Sequence, residues 1–193
     1  MVTESPPTPM LVGVRGDPNE HYPVPQDAEF SDDDAYLEHE RLQDEVRRLI
    51  DAEFSHLREV DVRAAWKRKG GQSQGQATLG TCLKATGLIR HWGRCHFVVW
   101  LAADHARERR LTNLQVEAIL HHELSHAWTD TTEDGELRTR TVNHDWEGFS
   151  RTVRRYGPYL ALLEDARRTF IQPELPLFVS ENGAQEEGGG DGV

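Results

Sequence analysis

The pattern of apolar and polar residues predicts helices at both ends of a block of strands. A helix is predicted from about Asp34 to Phe54, because apolar residues recur there every three to four positions. Weaker patterns between His56 and Arg68 and between Ala77 and Leu88 favour strands, with a glycine-rich turn between them. Cys95 to Leu101 is rich in β-branched and aromatic residues and too short for a helix, so it predicts the clearest strand.

A complete helix start signal follows these strands. Thr112 can cap a helix, and Gln115 can return the hydrogen bond three residues later. The apolar residues of this helix are Val116, Leu120, Leu124 and Ala127. They predict a helix from Thr112 to about Trp128, with one apolar stripe that anchors it.

The second half of the chain alternates turn signals with helical spacing. Asp134-Gly135 between threonine-rich flanks predicts a β-hairpin. Helical spacing resumes at about Asp145 and stops at Gly157-Pro158, and a last helix is predicted before Pro173.

The chain of 193 residues suits one compact domain. Residues 1–30 are rich in proline and lack periodicity, so they predict a disordered arm. Residues 31–172 form the predicted domain, and residues 173–193 form a glycine- and glutamate-rich tail that is predicted to be disordered. The start of the chain lacks the features of a signal peptide and no apolar run could span a membrane, so we expect a cytoplasmic protein.

Charge and cysteine content narrow the possible partners. A net charge of -11 disfavours non-specific binding to nucleic acid, although one stretch has a basic balance and leaves a local anionic partner possible. Its cations are Arg63, Lys67, Arg68, Lys69, Lys84, Arg90 and Arg94. The two cysteines, Cys82 and Cys95, have no CxxC spacing, which predicts reduced packing residues and no thiolate metal site.

The first candidate metal ligands and the candidate general base lie on the predicted helix that begins at Thr112. His122-Glu123-Leu124-Ser125-His126 matches the HExxH pattern, in which two histidines one helical turn apart can hold one zinc ion. Glu123 would then be the general base that takes a proton from the water attacking a peptide carbonyl. His121 has no such partner and is predicted to be exposed or to support the ligands from outside the metal sphere.

A catalytic zinc ion needs a third protein ligand beside an open position. We expect His144 to supply it, because it lies where the predicted hairpin turns back toward a helix. Asp145 and Glu147 are the alternatives, and either would otherwise orient an imidazole. Manganese, iron or cobalt would also accept these ligands.

These segments resemble the phage metallopeptidases, which are similar to the SprT-like zinc peptidases. The resemblance is carried by three segments and extends over most of the chain between about Asp34 and Phe170. The segments are Val116–His126, His144–Phe149 and Arg154–Gly157. It implies a zincin-like α+β fold, in which a small, mostly antiparallel sheet packs on the active-site helix and further helices flank it. An edge strand of that sheet would hold an extended peptide, and the resemblance also supports His144 as the third ligand. The segment Cys95–Leu101 is the expected member of that sheet.

The leading interpretation is therefore a zinc-dependent endopeptidase of phage origin, which would act on a protein or peptide substrate in the host cytoplasm. The alternative is a zinc-stabilised module that binds a regulatory or DNA-associated protein without cutting it, which the basic stretch favours. A peptidase that clips a repressor is a variant of the first interpretation. The role of Glu123 distinguishes the peptidase from the binding module, since only a peptidase needs the carboxylate of this residue.

Overall fold

The computed structural model describes residues 14–31, 35–73, 76–144 and 150–157. Its strands and helices are β1 (Tyr36–Glu38), α1 (Glu40–Glu53), β2 (Val62–Lys67), β3 (Gln72–Ser73), β4 (Gln76–Ala77), β5 (Gly80–Lys84), α2 (Gly87–Gly93), β6 (Phe97–Ala102), α3 (Ala103–Glu108), α4 (Asn113–His126), β7 (Ala127–Thr131), β8 (Leu137–Thr141) and α5 (Ser150–Tyr156). Within the described residues, no helix has the length and apolar character needed to cross a membrane.

A four-stranded mixed sheet has the strand order β1-β2-β6-β5. β2 and β6 are parallel, while β1 pairs with β2 and β5 pairs with β6 in antiparallel fashion. α1 packs on β2, and α4 packs on β5 and β6. The mixed α+β class is as predicted, and two of the three strand pairings are antiparallel.

Alternation along the central strands separates the two faces of the sheet. In β2, Val62, Ala64 and Trp66 belong to the buried core, whereas Arg63 between them is exposed. Phe97 and Val99 of β6 join the same core, which also includes residues of α1 and α4. Side chains of a strand point alternately to opposite faces, so α1 and α4 cover one face of the sheet but not the opposite face, which we call the open face.

The prediction that residues 1–30 form a disordered arm is wrong for residues 14–30, which pack on the domain. Tyr22 and Phe30 are buried in the core, and the Tyr22 amide donates to the Leu111 carbonyl. The Arg41 guanidinium lies 4.6 Å from the centroid of the Tyr22 ring. This cation–π contact stabilises the packing of residues 14–30, which contain few apolar side chains. The predicted tail, residues 173–193, lies outside the described residues.

Other element boundaries also differ from the sequence prediction. α1 begins at Glu40, because Tyr36–Glu38 pairs with β2 as a strand. The short helices α2 and α3 were not predicted. The strand prediction near Cys95 is confirmed as β6, the hairpin is confirmed as β7 and β8, and both cysteines are free and buried. The last predicted helix lies outside the described residues.

Candidate metal centre

α4 supplies the first two residues of the centre, and its start is fixed by the predicted capping box. The Gln115 amide donates to the Thr112 hydroxyl at 3.3 Å, and the Thr112 amide donates to the Gln115 side chain at 3.0 Å. The helix ends at His126, and β7 begins at the next residue. His122 and His126 therefore lie one turn apart in the last turns of the helix.

The β7–β8 hairpin returns the chain to the end of this helix. The Val142 amide donates to the His126 carbonyl at 2.8 Å, and the Val142 carbonyl accepts a hydrogen bond from His126 Nδ1 at 2.7 Å. His144 follows two residues later, so its ring reaches the same place. The hairpin thus brings together ligand candidates that are 18 residues apart in sequence.

Three imidazole rings converge there, and we call His122, His126 and His144 the three-histidine cluster. One ring nitrogen from each lies within 4.8 Å of the others, and Nε2 of His122 and Nε2 of His144 are 3.0 Å apart. The ring centroids of His126 and His144 are separated by 4.6 Å. A zinc ion binds imidazole nitrogens at about 2 Å, so its ligand nitrogens lie roughly 3 to 4 Å apart. The donor set therefore fits one ion, and the pair from His122 and His144 already has this spacing.

The surroundings of His122 favour the neutral ring that binds metals. Burial, followed by the neighbouring His144 and His126, lowers the pKa of His122 to about 3. The hydrogen bond from His126 Nδ1 to a carbonyl places the proton on that nitrogen, which leaves Nε2 as the metal-binding atom. Each effect leaves a ring nitrogen with a lone pair that a metal ion can bind.

Glu123 follows His122 on α4, and its side chain is in close contact with β5. A Cβ atom at Gly80 would lie 3.0 Å from Cγ and Oε1 of Glu123, so only glycine allows the strand to come this near. The Cys82 amide donates to the Glu123 carboxyl group. Burial raises the pKa of Glu123 to about 8, against the opposing effect of that hydrogen bond.

A family model described as "Putative phage metallopeptidase" matches residues 34–170. The chain belongs to that family. The resemblance inferred from the sequence is thereby confirmed, and the family is one of metal-dependent peptidases. Neither a curated protein nor a solved structure gives a significant match. The likeness to SprT-like enzymes stays a prediction.

In this member of the phage metallopeptidase family, the three predicted ligands His122, His126 and His144 lie in one place, and the predicted base Glu123 follows His122 on α4. The alternatives Asp145 and Glu147 lie outside the described residues. Gly80 and Cys82 were missed by sequence reasoning. An isolated glycine in a strand pattern is a sign that another group approaches the backbone closely, and that signal was available at Gly80.

His121 is fully buried, so the expectation of an exposed residue is wrong. Its Nδ1 is 2.9 Å from the Thr152 hydroxyl, and its Nε2 is 3.2 Å from a Glu53 carboxylate oxygen. Burial lowers its pKa to about 3. The error arose because α4 is buried on most of its circumference and not along one apolar stripe.

His121 belongs to a second polar cluster on α4, which we call the buried ion network. Its members are Arg48, Glu53, Glu117, His121, Thr152, Arg155 and Tyr156. Glu117 bonds to Arg48 and accepts a hydrogen bond from the Tyr156 hydroxyl at 2.9 Å. Arg155 forms an ion pair with Glu53, so its guanidinium group is not simply solvated at the surface. The network joins α1, α4 and α5.

Proposed function

We propose that this chain is a zinc-dependent endopeptidase in which His122, His126 and His144 hold the ion and Glu123 is the general base. The observation that carries the proposal is the convergence of three imidazoles from α4 and the β7–β8 hairpin, with a carboxyl group on the adjacent helix position. Three protein ligands and one open position are the composition of a catalytic zinc site, whereas structural sites are closed by four.

The chemistry needs a base beside the ion and little else from the chain. Bound zinc would polarise the substrate carbonyl and make a water molecule more acidic. Glu123 would accept a proton from that water and later deliver it to the leaving amine. The contact with Gly80 and the hydrogen bond from Cys82 restrict the carboxyl group to one position, which favours proton transfer along a fixed path.

β5 supplies the expected place for the substrate. It is the edge strand that contacts Glu123, whereas β6 lies inside the sheet. The Ala102 amide donates to the Leu79 carbonyl and the Ala85 amide donates to the His96 carbonyl, so odd-numbered residues of this strand bond to β6. Even-numbered residues turn their main-chain groups outward. An extended peptide could pair with these groups except the Cys82 amide, which donates to Glu123, and the peptide would then lie beside that residue.

The test is the substitution Glu123→Gln, with Glu133→Gln in the exposed hairpin turn as the matched control. Both proteins are purified with zinc, their metal content is measured by elemental analysis, and cleavage of dye-labelled denatured casein is followed. We expect Glu123→Gln to keep one zinc ion per chain and to lose activity by about 100-fold or more, since general bases contribute roughly 100- to 10,000-fold. The control should match the wild type in both measurements.

Undiminished cleavage by Glu123→Gln would overturn the proposed mechanism. A wild-type protein that binds one zinc ion but cuts no unfolded protein or peptide library would instead favour the non-catalytic binding module. In that case Glu123→Gln would leave binding of the partner protein intact, whereas His126→Ala would abolish it through loss of the ion.

A further inference from the structure

The open face of the sheet carries a groove that the proposed peptidase site does not use. It has a volume of about 530 Å³ and lies between the sheet and α2. Tyr36, Arg63, Leu83, Ile89, Trp92 and Trp100 are among its lining residues. Glu123 contacts β5 at Gly80 and Cys82, whereas Leu83 of the same strand lines the groove. Strand alternation places Cys82 and Leu83 on opposite faces, so this groove and the metal centre are separate sites.

Large apolar side chains are unusually exposed around this groove. Trp92, Leu88 and Ile89 are 78%, 74% and 57% exposed, although all three lie in the single short helix α2. Tyr36 and Leu83 are also exposed. An exposed apolar patch of this kind, on an otherwise polar surface, marks a binding site.

The charge of the same region is opposite to that of the rest of the chain. Residues 62–103 contain seven lysines and arginines and no acid, in a chain whose net charge is -11. Arg63 and Lys84 line the groove, and Glu38 is the one acid among its lining residues. The Lys67 ammonium lies 4.6 Å from the Trp100 ring centroid, so cations and aromatic rings are interleaved on this face.

These features specify the chemistry of the partner. An exposed tryptophan can stack on a flat ring, and the surrounding cations can pair with phosphates. Single-stranded nucleic acid presents both groups, whereas the bases of a duplex are stacked on one another and out of reach of Trp92. An acidic peptide would satisfy the cations and leave the rings without a partner.

We propose that the groove between α2 and the open face of the sheet binds single-stranded nucleic acid. Bases stack on Trp92, and Arg63, Lys84, Arg90 and Arg94 pair with phosphates. The proposal does not depend on the peptidase activity. It assigns to the protein a second site on the other side of β5 from Glu123.

The test measures the binding of a fluorescein-labelled 20-nucleotide polythymidine strand by fluorescence anisotropy, over a range of salt concentrations. Trp92→Ala should weaken binding by about 5-fold to 150-fold, because stacking contributes roughly 1 to 3 kcal/mol per base. Trp128→Ala is the matched control, since Trp128 is an exposed tryptophan on β7 away from the groove. It should bind as the wild type does.

A second variant tests the phosphate contacts. The double substitution Arg63→Gln and Lys84→Gln should reduce the slope of log K against log salt by about 1.4, at roughly 0.7 for each lost contact to a single strand. Glu123→Gln should bind the strand with wild-type affinity, so failure of this proposal is distinguishable from failure of the peptidase mechanism.

Several outcomes would overturn the proposal. No binding at 50 mM salt would do so, as would equal weakening by Trp92→Ala and Trp128→Ala. Competition by polyglutamate as effective as that by unlabelled polythymidine would show that charge alone is recognised. Tighter binding of duplex, or a wild-type dimer that Trp92→Ala converts to monomer in sedimentation, would assign the groove to a different occupant.

Discussion

Two polar clusters share the helix α4, and they are built in opposite ways. The buried ion network turns Glu117 and His121 toward α1 and α5, and its charges have partners of opposite sign, such as Arg48 with Glu117 and Arg155 with Glu53. The three-histidine cluster brings together three rings of one kind, with Nε2 atoms of His122 and His144 only 3.0 Å apart. Consecutive residues, His121 and His122, belong to different clusters.

This difference separates a stabilising role from a chemical one. Opposite charges and hydrogen bonds within the network hold three helices together. Three imidazoles contain no opposite charge, and a cation is the partner that would satisfy the ring nitrogens of all three at once. We therefore expect changes in the network to alter folding without altering metal binding, and changes in the cluster to do the reverse.

The largest expected effect is on the cluster. Zinc at about 1,000-fold above its dissociation constant should raise the free energy of unfolding by roughly 4 kcal/mol, and chelation should remove this gain. In His144→Ala, a 100-fold loss of affinity would leave about 1.4 kcal/mol at the same zinc concentration. Urea unfolding with zinc and with chelator measures both values. His91→Ala, an exposed histidine on α2, is the control and should keep the full gain.

The next effect is on the network. Glu117→Gln removes the acid that faces Arg48 and Arg155, and we expect a loss of about 2 to 3 kcal/mol. The expected loss is below the usual cost of breaking a buried pair, because Arg48 keeps Glu45 and Arg155 keeps Glu53. Urea unfolding of the metal-free protein measures the loss. Zinc affinity, measured separately by titration calorimetry, should not change, and a large change there would contradict the division of roles.

The smallest effect is expected for Tyr156→Phe. The substitution removes the hydrogen bond to Glu117 but keeps a ring whose centroid lies 5.3 Å from that of His121. A net loss of about 1 kcal/mol follows, as for one buried hydrogen bond. Differential scanning calorimetry of wild type and variant checks this value. Equal stability would show that the Glu117 carboxylate is satisfied by its arginines alone.

Sequence reasoning predicted the parts of the molecule that depend on local signals. The capping box at Thr112 placed the start of α4, and Asp134-Gly135 placed the turn of the β7–β8 hairpin. The HExxH spacing placed His122 and His126 on one face, because helical geometry alone fixes that relation. These predictions needed no knowledge of what packs against the segment.

The parts that failed depend on contacts between distant segments. Tyr36–Glu38 forms a strand because it pairs with the edge of β2, and no local pattern in the sequence shows this pairing. His121 is buried because α1 and α5 cover it, although its neighbours in sequence gave no sign of this. Tyr22 joins the core through Arg41 and Leu111. A proline-rich segment with few apolar residues cannot be distinguished locally from a free arm.

The hairpin that delivers His144 also sets the route by which an ion would leave. His122 and His126 are fixed to a helix that is packed on most sides, while His144 is exposed and is attached to the end of a two-stranded ribbon. That ribbon is closed by a turn in which Gly135 has a φ of +80°, a conformation that other residues rarely adopt. Of the three ligand candidates, exposed His144 is the one whose ring could turn away first, so the hairpin and not the helix would determine how readily an ion leaves.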